Sequence, residues 1–130
     1  MMLKLPVIGL ESYMDNGAAE FKIVKVGLQG NGFSFDTGQF VMLAMEDFKH
    51  WDNPNELKWT PMSISSSHLD KNHLEFCIQI KNTPGFSNHL GKNLKVGGHL
   101  LVKDLNGKFV IKDLNKDTVF IATGSGIAPI

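Results

Sequence analysis

Leu74-Glu75-Phe76-Cys77-Ile78-Gln79-Ile80-Lys81 is the stretch that decides the fold class. Leu74, Phe76, Ile78 and Ile80 alternate with Glu75, Cys77, Gln79 and Lys81, so a β-strand here has one apolar face and one mostly polar face. Working outward, short runs rich in Val, Ile, Phe and Leu recur at residues 21–28, 39–45, 62–66, 99–103 and 108–112. Turn formers separate them: Asp15-Asn16-Gly17, Gly30-Asn31-Gly32, Asp52-Asn53-Pro54-Asn55, Asp70-Lys71-Asn72, Gly97-Gly98 and Asn106-Gly107. Short strands punctuated this regularly predict an all-β antiparallel barrel or sandwich. Asn106-Gly107 is expected to join the last two strands as a hairpin. Within residues 21–28 the apolar phase slips between Ile23 and Val24, and a bulge there is expected.

Two segments break the strand pattern. In Thr83-Pro84-Gly85-Phe86-Ser87, Thr83 can cap a helix and Pro84 suits its first position, which predicts a short helix through about Gly91. Residues 118–122 form an apolar run of buried-strand type that enters Thr123-Gly124-Ser125-Gly126-Ile127-Ala128-Pro129. A buried strand feeding a Gly-rich turn is how a nucleotide-binding α/β unit opens. With no further strands to pair with, residues 118–122 are expected to pack irregularly.

Composition narrows the function classes. Thirteen basic and thirteen acidic residues give a formal net charge of zero, which argues against a nucleic-acid backbone binder or a basic membrane-surface patch. The single cysteine, Cys77, excludes an internal disulfide, a Cys-rich zinc site and an iron–sulfur cluster made by this chain alone. A reducing cytoplasmic compartment is expected. The first residues lack a signal-peptide core, and no run approaches a membrane span. His68, His73, His89 and His99 lack metal-site spacing, and Trp51 and Trp59, flanking the polar residues 52–56, read as loop anchors.

Four segments carry chemistry by their order. Gly38-Gln39-Phe40 is a turn entering a strand. Thr60-Pro61-Met62-Ser63 alternates so that Met62 can cover a flat ring while Ser63 meets its edge. Gly85-Phe86-Ser87 at a helix start offers backbone N–H groups, the helix dipole and a hydroxyl to a pyrophosphate. Thr123-Gly124-Ser125-Gly126 lets the backbone approach a dinucleotide phosphate.

Together these segments resemble the ferredoxin-NADP reductase-like flavoprotein family. Its ordered signatures are a Gly-Gln-Phe turn, an Arg-x-Tyr-Ser strand, a Gly-x-x-Ser helix start and a Gly-Thr-Gly-Ile-Ala-Pro loop. The last appears here as Gly124-Ser125-Gly126-Ile127-Ala128-Pro129. The resemblance implies a six-stranded antiparallel Greek-key barrel that binds FAD, residues 1–116, followed by the first strand and Gly-rich loop of an NAD(P)-binding domain, residues 117–130. It implies that Thr60, Pro61, Met62 and Ser63 meet the flavin ring, and that Ile78, Gln79, Ile80 and Lys81 follow the ribityl and diphosphate. Gly85, Phe86 and Ser87 would hold the diphosphate, and Thr123, Gly124, Ser125 and Gly126 would bring the nicotinamide to the flavin.

The implied activity is electron transfer in an NAD(P)H-dependent oxidoreductase, with an electron-acceptor protein or iron–sulfur subunit as partner and no role for nucleic acid or membrane. The isolated chain is expected not to be reduced by NAD(P)H. Thr60 stands where the family has arginine and Met62 where it has tyrosine. Losing a charged partner of the phosphate costs about 1.5–3 kcal/mol. The alternative reading is a barrel that no longer binds flavin and serves as a binding or regulatory module.

Overall fold

The computed structural model describes residues 2–15, 19–110, 113, 115–122 and 127–130. Among the described residues eight strands and one helix follow in chain order: β1 (Met2–Asp15), β2 (Ala19–Gly27), β3 (Phe40–Ala44), β4 (Lys49–His50), β5 (Asn53–Leu57), β6 (Thr60–Ser63), β7 (His73–Ile80), α1 (Phe86–Asn93) and β8 (His99–Asn106). Six strands form one antiparallel sheet in the order β6-β3-β8-β1-β2-β7, and β4-β5 is a separate small hairpin. All-β antiparallel architecture with one short helix is as the sequence predicts. Barrel closure is not: among the described residues no ladder joins β6 to β7, so the sheet curls without closing.

The sixth strand of the sheet is β1, not the expected residues 108–112. Leu3, Leu5 and Val7 point inward in strict alternation, and Leu5 and Val7 are buried. The first part of β1 pairs with β8, from Met2↔Lys103 to Pro6↔His99. The second pairs with β2, from Val7↔Val26 to Asp15↔Ala19. At the changeover Ile8 is an extra residue opposite Lys25 and Val26, a bulge that changes phase so that Leu10 also reaches the core. Pro6 is tolerated because Val7 directs its N–H and C=O toward Gly98 and Gly97, leaving the missing proline donor on the opposite side. The bulge expected at Ile23–Val24 lies instead in β1; β2 pairs with β7 in unbroken register.

Residues 108–110 form no strand, residues 111 and 112 lie outside the described residues, and the expected Asn106-Gly107 hairpin is absent among those described. The cause is topological: β3 and β1 already occupy both edges of β8. A bulge in β8, with Asp104 at φ 54°, and Gly107 at φ 117° turn the chain out of the sheet. It then crosses Gly38, where an added Cβ would stand 1.6 Å from the Phe109 carbonyl oxygen; at φ 101° only glycine fits there. Residues 118–122 run without ladder partners among the described residues, with Val119 and Ile121 almost fully exposed, the irregular course expected of an unpartnered strand.

The core fills the hollow of the curled sheet with Leu5, Val24, Val26, Val41, Leu43, Leu74, Phe76, Ile78, Leu100 and Val102. Helix α1 plugs one end through Phe86 and Leu90. Gly91 brings the helix against β7, where an added Cβ would meet the Ile80 Cγ2 at 2.7 Å.

β1 is therefore predicted to carry core stability. Leu5→Ala should cost about 2–5 kcal/mol in urea unfolding, whereas Met14→Ala, on the exposed end of the same strand, should change stability by less than about 0.5 kcal/mol. Equal, small effects would remove β1 from the core.

Candidate functional site

The unclosed edge of the sheet is a seam with polar stitching at both ends. At one end the Ser65 N–H and the Ser65 hydroxyl donate to the Glu75 carbonyl at 2.9 and 3.1 Å, and the Glu75 N–H donates to the Ser66 hydroxyl at 3.0 Å. In an antiparallel strand both backbone groups of a residue point to one side, and successive residues alternate. Glu75 therefore fixes the parity of β7. Cys77, Gln79 and Lys81 also direct their N–H and C=O groups into the seam, while Ile78 and Ile80 direct theirs to Lys22 and Glu20 of β2. Lys81 confirms this independently: its N–H donates to the Ser87 hydroxyl at 3.3 Å, and its carbonyl accepts from Asn88 Nδ2 at 2.8 Å. Between the stitches, no ladder partner takes the backbone groups of Cys77 and Gln79 among the described residues.

Of the four residues singled out here from sequence, Ile78 to Ile80 on β7 and Lys81 just after it, Gln79 and Lys81 thus face the seam with their backbone. Ile78 is buried in the core and Ile80 packs against it. The far end of the seam opens on the start of α1. The helix begins at Phe86, two residues later than predicted, with Gly85 as its N-cap and no side-chain cap; neither Thr83 nor Pro84 plays its expected part. The start is set by Phe86, whose ring must reach the core, and by the Ser87–Lys81 bond. The first helical bond is from the His89 N–H to the Gly85 carbonyl at 3.0 Å, so the N–H groups of Phe86, Ser87 and Asn88 point out of the helix start. No acidic residue lies in the first turn. Phe86 offers only its backbone, and the Ser87 oxygen is an acceptor for Lys81 that leaves its hydroxyl proton free.

On the opposite lip lies β6. Its register with β3 pairs Leu43↔Thr60, Val41↔Met62, Met42↔Pro61 and Phe40↔Ser63. Thr60 and Met62 share the face of buried Leu43 and Val41, and Met62 packs against the core. Pro61 and Ser63 lie on the other face, with Met42 and Phe40.

Thr123, Gly124, Ser125 and Gly126 lie outside the described residues. The chain after them returns to the seam: Ala128, Pro129 and Ile130 line a hollow of about 370 Å³ with Ile64, Ser66 and His68. Thr37 Oγ1 and His68 Nδ1 lie 2.8 Å apart at its rim. A larger apolar hollow of about 660 Å³ lies beside it, lined by Phe109, Phe120 and Ile121 among others. Trp51 is no anchor: it stands almost fully exposed at the β4–β5 tip, stacked on His50. Trp59 carries the Lys103 ammonium 4.1 Å from its ring centre. No cluster of three or more His, Cys, Asp or Glu among the described residues is placed to hold a metal ion. None of the described helices is long and apolar enough to cross a membrane.

No family model matches the sequence. The anthranilate 1,2-dioxygenase electron transfer component of Acinetobacter baylyi is 27% identical over 94 residues, which are 72% of this chain and 25% of that protein. Among solved structures, a ferredoxin-NADP+ reductase from Plasmodium falciparum with 2'P-AMP superimposes with a TM-score of 0.80 at 24% identity, over 98% of this chain and 49% of that one. The chain has the ferredoxin-reductase fold. A ferredoxin NADP+ reductase from Neisseria gonorrhoeae with bound FAD and NADP shares it at a TM-score of 0.64 and 14% identity, over 82% and 39% of the two chains. The chain spans about half the length of the Plasmodium reductase and a quarter of the curated relative.

All thirteen basic residues of this chain are lysine. No guanidinium fork is available to a phosphate, and the cation bonded to the helix start through its backbone is the exposed Lys81. Sequence reading missed Ser66 and Asn88. The signal for Asn88 was its place as the last residue of the Gly-x-x-Ser match, Gly85-Phe86-Ser87-Asn88, where the family has serine.

Cys77 lies in the seam strand, and burial pushes its thiol above the ordinary cysteine range. Alkylation of the folded chain by iodoacetamide at pH 8 should be several-fold slower than in denaturant, because the thiolate is the reactive form. Equal rates would place the thiol in open solvent.

Proposed function

We propose that this chain is the flavin-binding part of an NAD(P)H-dependent electron-transfer oxidoreductase, with residues 1–116 binding FAD and residues 117–130 beginning the NAD(P)-binding part. The observation that carries the reading is the β6–β7 seam. It presents backbone groups at Cys77 and Gln79 with no ladder partner among the described residues, and it ends on the free N–H groups of Phe86, Ser87 and Asn88 beside Lys81. A flat heterocycle joined through a polyol to a diphosphate matches that sequence of surfaces: polar strand edge first, anion site last.

The Gln79 backbone would meet the polyol, and the helix-start N–H groups with Lys81 would hold the diphosphate. Ser63 and Met62 on the opposite lip are the candidates for the ring edge and ring face. The bound flavin would supply the exchange between two-electron and one-electron transfer. The chain's own part would be to position the ligand and to limit water at the seam. The Neisseria reductase with bound FAD and NADP and the electron transfer component of the Acinetobacter dioxygenase support FAD, a nicotinamide nucleotide and a downstream electron acceptor as partners, and an iron–sulfur protein is our proposal for that acceptor. A cytoplasmic location accords with the single thiol.

The absence of any arginine favours a second reading, a domain of this fold that serves as a binding or regulatory module without flavin. A fluorescence titration with FAD separates the two. Saturable quenching supports the flavin reading, and unchanged FAD fluorescence at high micromolar protein supports the second. Gly85→Val then locates the phosphate end. A Cβ at Gly85 meets nothing within 4 Å, so the fold should tolerate it. FAD should bind ten- to a hundredfold more weakly, on the order of one charge-assisted contact, with riboflavin unaffected. Equal loss of both ligands would move the diphosphate elsewhere.

A further inference from the structure

Helix α1 is held from two sides, and only one of them belongs to the seam. On the seam side Ser87 and Asn88 bind Lys81, and Gly91 lies against Ile80. On the other side the turn between β3 and β4 reaches the helix through Asp47 and Phe48. His89 Nε2 lies 3.0 Å from Asp47 Oδ1. The Phe48 ring packs at 4.7 Å on the His89 imidazole and edge-on at 6.5 Å to Phe86.

The hydrogen bonds fix the tautomer. Asn93 Nδ2 donates to the His89 carbonyl at 2.9 Å and lies 3.3 Å from His89 Nδ1. An amide nitrogen is only a donor, so Nδ1 is the acceptor; Nε2 then carries the proton and gives it to the Asp47 carboxylate as a hydrogen bond. The turn itself is anchored at both ends, by the Phe48 N–H to the Met45 carbonyl at 3.1 Å and by the Lys58 N–H to the Phe48 carbonyl at 3.2 Å.

His89 also makes the first helical bond, to the Gly85 carbonyl. Its side chain and its backbone therefore connect a fixed turn on one side to the residue that frames the open N–H groups on the other. We infer that Asp47 and His89 are positioning residues for the phosphate end of the ligand: they touch none of it, yet they set the direction of the Phe86, Ser87 and Asn88 N–H groups and so the preference for a flavin carrying a diphosphate. The inference rests on the flavin reading above and names the residues that tune it.

The test is paired titration of FAD and riboflavin into the wild-type chain and three variants. His89→Ala should weaken FAD about tenfold, the scale of a broken network contact, and leave riboflavin within about twofold. Asp47→Ala, whose side chain is mostly exposed, should shift FAD in the same direction without threatening the fold. His89→Gln should recover most of the loss, because its amide nitrogen stands near the imidazole Nε2 and donates to Asp47. A purely structural role would lower both ligands together and would not be rescued by Gln.

An unchanged ratio of FAD to riboflavin affinity in both His89→Ala and Asp47→Ala overturns the inference and leaves the flavin reading intact. Should His89→Ala not fold, Asp47→Ala decides alone. A wild-type chain that binds riboflavin and FAD equally, or neither, overturns the flavin-diphosphate reading and this inference with it.

Discussion

The double pairing of β1 is the constraint on which the rest of the structure depends. One strand serves β8 with its first residues and β2 with its last, and the single bulge at Ile8 lets it keep apolar side chains inward on both sides of the change. The sheet is bent at that point, so β6 and β7, its two outermost strands, come round to face each other. A flat sheet of the same strands would leave them at opposite ends. The seam is thus a product of curvature, and the curvature is made by residues far from it in sequence.

What bounds the seam is equally local. Ser65 and Ser66 stitch them at Glu75, and α1 takes over the Lys81 end. Among the described residues the intervening strand edge has no ladder partner, while the core beneath it is filled by Leu74, Phe76 and Ile78. A site built this way rests on a rigid strand and a helix start rather than on loops, so its geometry exists before any ligand arrives.

The legible and illegible parts of the fold divide along one physical line. Alternation in residues 74–81 was readable because both determinants, a buried face and a solvated face, lie within the segment. The helix was readable in place though not in its first residue, since Phe86 starts it for the sake of the core rather than of a cap. β1 was overlooked because Pro6 and Gly9 interrupt its pattern and the bulge reverses its phase halfway. Residues 108–112 carry a strand-like pattern, but no sequence window records that β1 and β3 have already taken both edges of β8. For the candidate site, the helix start at Gly85 to Ser87 was readable in sequence, and the structure brings Lys81 to it. The parity that turns Gln79 toward the seam and Ile78 and Ile80 away from it depends on one cross-sheet bond at Glu75. Asp47 and His89 were out of reach for the same reason: their partnership joins two segments with no shared motif.

The open lip of β7 has a consequence for handling the protein. A row of unsatisfied amides and carbonyls along a straight strand is a template for any other extended chain, and globular proteins ordinarily protect such edges with charge, proline or a covering element. Here Glu75, Gln79 and Lys81 give partial protection, and Cys77 gives none. The backbone groups on which the flavin proposal rests would also make the free chain receptive to its own kind. Its solubility should therefore track the occupancy of the seam, and a filled strand edge is the chain's best defence against intermolecular β-pairing.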